Sequence, residues 1–213
     1  MTPLRTGRCI ELGGLAERRL VGGCQLVAAL DLDGTTWWLP EAAVWHDATC
    51  ALPETCTDVH HSTDHPVATG LATARNRDAA MLTGLSDRLG WEAVLHLERS
   101  DDLPALADTR ALDDAGIERG NVVVLDGRLA HDVPTVVALG PGLVRWGAGC
   151  TWASALRRAL FTSRSPGGDQ TAELAWMTER LDGAGLRPVL VDVGSDVLRA
   201  GGVTRGSVQL LTD

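Results

Sequence analysis

Apolar positions along the chain change period several times, and each change marks an element. QLVAALDLD (25–33) and TTWWLPEAAVW (35–45) are two β-rich runs on either side of the turn Asp33-Gly34-Thr35, a pattern that predicts a hairpin. Over 76–90 the period becomes helical. Ala79, Ala80, Leu82, Leu85 and Leu89 recur at that spacing, preceded by Asn76, which can accept from an early helical N–H, and by Asp78 near the positive helix end. A strand is expected near Glu92–Leu97, then a helix over Leu103–Ala115 closed by Gly116. The unbroken valines of NVVVLD (121–126) predict a strand buried on both faces, and TVVAL (135–139) another. Gly147–Gly149 reads as a turn, Trp152–Arg164 as a helix, and TAELAWMTERLDGAG as a second helix with Thr171 as its N-cap. PVLVDV (188–193) reads as a central strand and VTRGSVQLL (203–211) as the last one. The aperiodic polar stretches 46–65 and 163–170 read as loops. Together these predict an α/β fold, a mixed β-sheet with packed helices, in a single domain spanning 1–213.

Composition narrows the functions open to such a domain. All 19 basic residues are arginine, which excludes Schiff-base chemistry and a phosphate-loop lysine. A net charge of −9 argues against sequence-independent nucleic-acid binding, and a local basic patch would have to centre on Arg157 and Arg158. No apolar run is long enough for a membrane span or a secretory signal. Five scattered cysteines suit a reduced, cytoplasmic setting.

The segment PVATGLATARNRDAAMLTGLSDRLGWEA (66–93) has an outline that resembles the YcaO family of ATP-dependent peptide cyclodehydratases and thioamide synthetases. Gly70, Ala72, Ala80, Gly84, Leu85 and Ala93 match that family's pattern. Three other stretches resemble it in the same order, so that the resemblance covers 26–211. Leu39-Pro40 stands for a Val-Pro-Ala element, and ERGNVVVLDGRLAHDVPTVVAL for a strand, Asp and Val-Pro-Val-Val strand. WGAGCTWASALRRALFTSRS matches at Gly147, Gly149, Ala155, Leu156, Arg158, Ala159 and Leu160, and WMTERLDGAGLRPVLVDV opens the closing unit.

What the resemblance implies about chemistry is mostly loss. The family's magnesium-holding Glu-x-x-Glu falls on Asp87 and Gly90, and its Glu and Gln on the later helix fall on Thr162 and Ser165. Polyphosphate is held through hard divalent cations, which need oxygen ligands, and a hydroxyl cannot replace a carboxylate there. The family's lysine-containing N-terminal segment, expected before residue 20, and its proline-rich tail have no counterpart either. The expectation is a truncated, degenerate member without cofactor or catalytic residues. It would serve as partner or scaffold for an active peptide-modifying subunit or a precursor peptide, and self-association is left open. One alternative is an active cyclodehydratase subunit whose site is completed by another chain, with Asp87 as its remaining ligand.

Other candidates stand apart from the resemblance. His46, Cys50, Cys56 and His60, with His61 and His65 behind them, offer a zinc ligand set for a zinc-loop binding module, although a solvated surface loop or a Cys50–Cys56 disulfide explains them too. Cys150 lies ahead of a helix that could activate a thiol, with His131 or His96 as partner, or is a packing cysteine. Asp126 and Asp192 end two strands, where sites collect in open sheets, but loop hydrogen bonding accounts for them equally. The glycine clusters at 140–142, 147–149 and 167–168 lack a dinucleotide-site context. The adjacent Trp37 and Trp38 point to opposite faces of a strand, so one ring is expected to be exposed unless a partner covers it, and both are candidate interface residues, with ordinary packing as the alternative.

Overall fold

Helix α1 (Arg77–Ser100) organises the molecule, because nearly every side of it is covered. The computed structural model describes residues 18–21, 24–40, 44, 69–100, 104–105, 122–160 and 169–212. Along α1, Met81, Leu82, Leu85 and Leu89 pack into the main core. A turn further on, Ala93 and Val94 pack against a separate sheet. Its apolar side chains meet both sheets, so the helix lies between them, with Thr83, His96, Glu98 and Arg99 left exposed.

The larger sheet contains β1 (Arg18–Val21), β2 (Cys24–Leu30), β3 (Thr36–Pro40), β4 (Leu71–Ala74), β8 (Leu186–Asp192) and β9 (Thr204–Thr212). Its order is β1-β2-β8-β9-β4, with β3 paired to β2. The predicted hairpin is present in register Leu30↔Thr36 to Leu26↔Pro40, closed through Gly34 at φ 80°. Leu190 and Val208 face α1, whereas Val189 and Val191 face the opposite side with Val27, Ala29 and Leu39. The smaller sheet runs β5 (Val123–Asp126), β6 (Thr135–Gly140), β7 (Leu143–Ala148). Val136 and Ala138 pack on α2 (Trp152–Leu160), and Val137 packs on α1. Helix α3 (Gln170–Gly183) adds Leu174, Met177 and Leu181 to the main core, and the short α4 (Asp196–Ala200) links β8 to β9.

The α/β architecture is as read, but in two sheets, with each described pairing antiparallel rather than mixed. Glu92–Leu97 is the last third of α1, not a strand. Leu89, Ala93 and Leu97 recur at helical spacing, and Gly90 does not stop the helix, because its missing side chain admits Trp146. Gly147 lies inside β7 rather than in a turn, and Gly149 just past its end. A Cβ on Gly147 would meet the α2 backbone at Ala159 N, 2.7 Å, so glycine there serves close packing. The doubly buried strand is β6, with residues 135–138 buried. β5 is an edge strand of that sheet, with Val123 57% exposed. Asp169, not Thr171, caps α3, accepting from Ala172 N at 3.1 Å, while the Thr171 hydroxyl donates to Asp78. Asn76 caps α1 as expected, accepting from Ala79 N at 2.8 Å. Ala105 forms an isolated antiparallel bridge with Leu125 instead of opening the helix expected over 103–115, and the rest of that helix and the continuation of α2 past Leu160 lie outside the described residues.

Candidate functional site

The residues that carry the resemblance converge where α1 meets the Gly70 turn and β7. Gly70 has φ 77°, and a Cβ there would lie 2.5 Å from Val208 O. A Cβ on Gly84 would lie 2.5 Å from Gly70 O, so helix and turn touch backbone to backbone. Asp87 is one helical turn beyond Gly84, level with this contact. Its Oδ2 accepts from Gly70 N at 2.8 Å, and its Oδ1 accepts from Trp146 Nε1 at 2.8 Å. Each carboxylate oxygen therefore already has a protein donor. The next polar link along is Ser86, buried, whose Oγ accepts from Ala148 N at 2.8 Å.

Gly90 explains the remaining space. A Cβ built on it would stand 2.5 Å from Trp146 Cδ1, 2.9 Å from Trp146 Cβ and 3.0 Å from Gly147 N. The side chain of Trp146, tilted at 56° against Trp91 with ring centres 5.1 Å apart, fills the volume that a side chain at residue 90 would need. The nearby Glu92 is paired with Arg88 at 3.3 Å. Burial raises its pKa against the pull of that guanidinium. A magnesium–nucleotide pair, implied by the fold family, does not fit these residues. Of the two carboxylates only Asp87 remains, tied into the link between α1, the Gly70 turn and Trp146, and the space of the other is filled by an indole.

A second polar cluster links α2, α3 and the end of β7. Arg158 holds Glu173 with two hydrogen bonds, 2.8 and 2.6 Å, and also donates to Ala148 O at 2.9 Å. Burial works to raise the Glu173 pKa, but the Arg158 hydrogen bonds and charge outweigh it and hold the carboxyl at about 2. Glu173 also accepts from Cys150 N at 3.0 Å. This corrects the activated-thiol reading, since burial and the Glu173 charge push the Cys150 pKa up, not down. Arg158 is thus neutralised at close range rather than presented as part of a basic patch. Asp126 is held by Arg128 at 2.8 Å, and Asp192 by Arg199 at 3.0 Å and Gly194 N at 2.8 Å, so both take the loop-bonding role.

On β3, Trp37 and Trp38 are each half-buried, so neither is the freely exposed ring expected. Arg187 lies over Trp37 at 4.9 Å and Arg19 over Trp38 at 3.8 Å, while Trp37 Nε1 donates to Asp31 at 2.9 Å. The zinc candidates His46, Cys50, Cys56 and His60, and the family positions Thr162 and Ser165, lie outside the described residues. Among the described residues, no three His, Cys, Asp or Glu side chains are grouped to hold a metal, and no helix is long and apolar enough to cross a membrane. Trp146 and Glu173 were not legible as site residues, because their partners stand far away in sequence.

The chain carries the YcaO fold, as the resemblance implied. Its fold is shared by a heterocyclase in complex with substrate and cofactor (TM-score 0.59, 14% identity, 88% of this chain and 33% of that one). It is shared also by the heterocyclase TruD (0.52, 14%, 88% and 34%) and by YcaO from Methanopyrus kandleri bound with AMPPCP and Mg2+ (0.57, 20%, 87% and 63%). The chain spans about a third of the length of the two heterocyclases and under two thirds of the third protein. By sequence, it matches no protein-family model and no curated protein.

Proposed function

We propose that this chain is a catalytically degenerate, YcaO-like partner or scaffold subunit in the modification of a ribosomally made peptide, acting in the cytoplasm alongside an active heterocyclase. One observation carries the reading. Trp146 occupies the space beside Gly90, where the second carboxylate would stand, and Asp87 is left alone, accepting from Gly70 N and Trp146 Nε1. A site that once gripped a metal–nucleotide pair would have been rebuilt as a packing contact. The fold shared with heterocyclases supports the biosynthetic setting, and β3 with its two tryptophans is the proposed docking strand for the active subunit or the precursor peptide.

The test is calorimetric. The purified chain, titrated with ATP and Mg2+, should give no binding heat and no rise in Tm, and should not hydrolyse ATP. A Tm rise of several degrees on adding the pair would favour the competing reading, an active subunit that borrows ligands from a second chain. In that case Asp87→Ala should abolish the rise.

A further inference from the structure

The loop between β5 and β6 and the C-terminal half of α3 border an open cleft of about 420 Å³, lined in part by His131, Asp132, Trp176, Glu179, Arg180 and Gly183. That volume lies within the range of small-ligand sites, about 300–1,000 Å³. Three features of its walls are independent of the site above. His131 is 3% exposed, and its Nδ1 accepts from Val133 N at 3.1 Å. Burial pushes its pKa down to about 4 against the pull of Asp132, so the ring is neutral and its single proton is on Nε2. Among the described residues, that buried N–H has no acceptor. An unmet buried donor costs about 1–3 kcal/mol and calls for a reason. The cleft that His131 lines is a space from which an acceptor can come.

The second feature is Asp132, which holds φ 52°, a left-handed conformation that a side chain disfavours. Its carboxylate meets Arg180 at 3.2 Å and Arg128 at 3.6 Å. The third is Trp176, whose indole lies beneath the Arg180 guanidinium, 5.0 Å away. The cation of the lining is Arg180. Asp132 and Glu179 lie there with Arg180, and Arg128 reaches Asp132 from the β5–β6 loop, so the carboxylates are balanced only while Arg180 stays in place beside the negative end of the α3 dipole. That arginine is half exposed, and an ion pair of this kind contributes only about 0–1 kcal/mol, so it exchanges readily.

We infer that this cleft binds an arginine-bearing peptide segment, whose guanidinium takes the place of Arg180 between Trp176 and the carboxylates and whose main-chain carbonyl accepts from His131 Nε2. Arginine suits it better than lysine, because a planar guanidinium stacks on an indole while donating in a fork to a carboxylate. The chain's own Arg180 already adopts that pose. The inference does not rest on the proposed function, since a chain that bound nucleotide could use the cleft equally.

The experiment is an NMR titration of the full ¹⁵N-labelled chain with N-acetyl-argininamide, with the amide of N-acetyl-glutamate as control. The His131 Nε2–H and Trp176 indole signals should shift saturably with the arginine probe and stay fixed with the acidic one. Glu179 is exposed, so Glu179→Gln keeps the fold, and it should weaken the affinity by about fivefold, equivalent to about 1 kcal/mol. No shift with the arginine probe, equal shifts with both probes, or an unchanged affinity in Glu179→Gln would each overturn the inference.

Discussion

At the scale of single residues, three polar side chains have been set to structural work, and each makes a measurable claim. Asp87 joins α1 to the Gly70 turn and to Trp146. Asp87→Ala removes the acceptor of two donors and should cost about 2–6 kcal/mol in urea unfolding without metal, at about 1–3 kcal/mol per unmet group. An acid kept only to bind metal would leave metal-free stability unchanged. Glu173, with its pKa held at about 2, contributes stability that is present above the unfolded carboxylate value and is lost as pH falls through about 2. Breaking its buried pair with Glu173→Ala should cost about 3–5 kcal/mol at neutral pH, read in the same unfolding experiment. His131 behaves with the same sign for a different reason. Its folded pKa of about 4 lies below the unfolded value, so the unfolded chain gains a proton first and stability declines as pH drops from about 6.5 to 4. Chemical unfolding across that window should show the decline in the wild type and a flatter profile in His131→Asn.

At the scale of elements, the glycines of α1 decide what could be read from sequence. Alanine is normally favoured over glycine in a helix by about 1 kcal/mol. Here both replacements should destabilise. Gly84→Ala places a Cβ 2.5 Å from the Gly70 backbone oxygen, and Gly90→Ala places one 2.5 Å from Trp146. Overpacking of this kind costs about 1–3 kcal/mol, and Gly84→Ala should be the worse of the two because backbone yields less than a side chain. Thermal unfolding of the two variants checks the order. The matching positions Gly70, Ala72, Ala80, Gly84, Leu85 and Ala93 are all buried, which is why the outline was visible in sequence. The hairpin, the N-cap at Asn76 and the last two strands were legible for a similar reason, since each is fixed by local turn chemistry or period. The final third of α1 was not. Its helical state is settled by packing of Ala93 and Val94 on β6, across more than forty residues of chain. The same holds for the packing of Trp146 against Gly90, because no local pattern announces which distant side chain will fill a glycine's space.

At the scale of the whole molecule, two antiparallel sheets among the described residues flank one long helix, and the face of that helix that meets the Gly70 turn and β7 is closed by protein atoms. A crystal of the chain grown with a non-hydrolysable ATP analogue and Mg2+ tests this most directly. The expected map shows the Trp146 indole against Gly90, donating to Asp87, with no phosphate beside them. A displaced indole, with ordered triphosphate and a cation on the Asp87 carboxylate, would contradict the account.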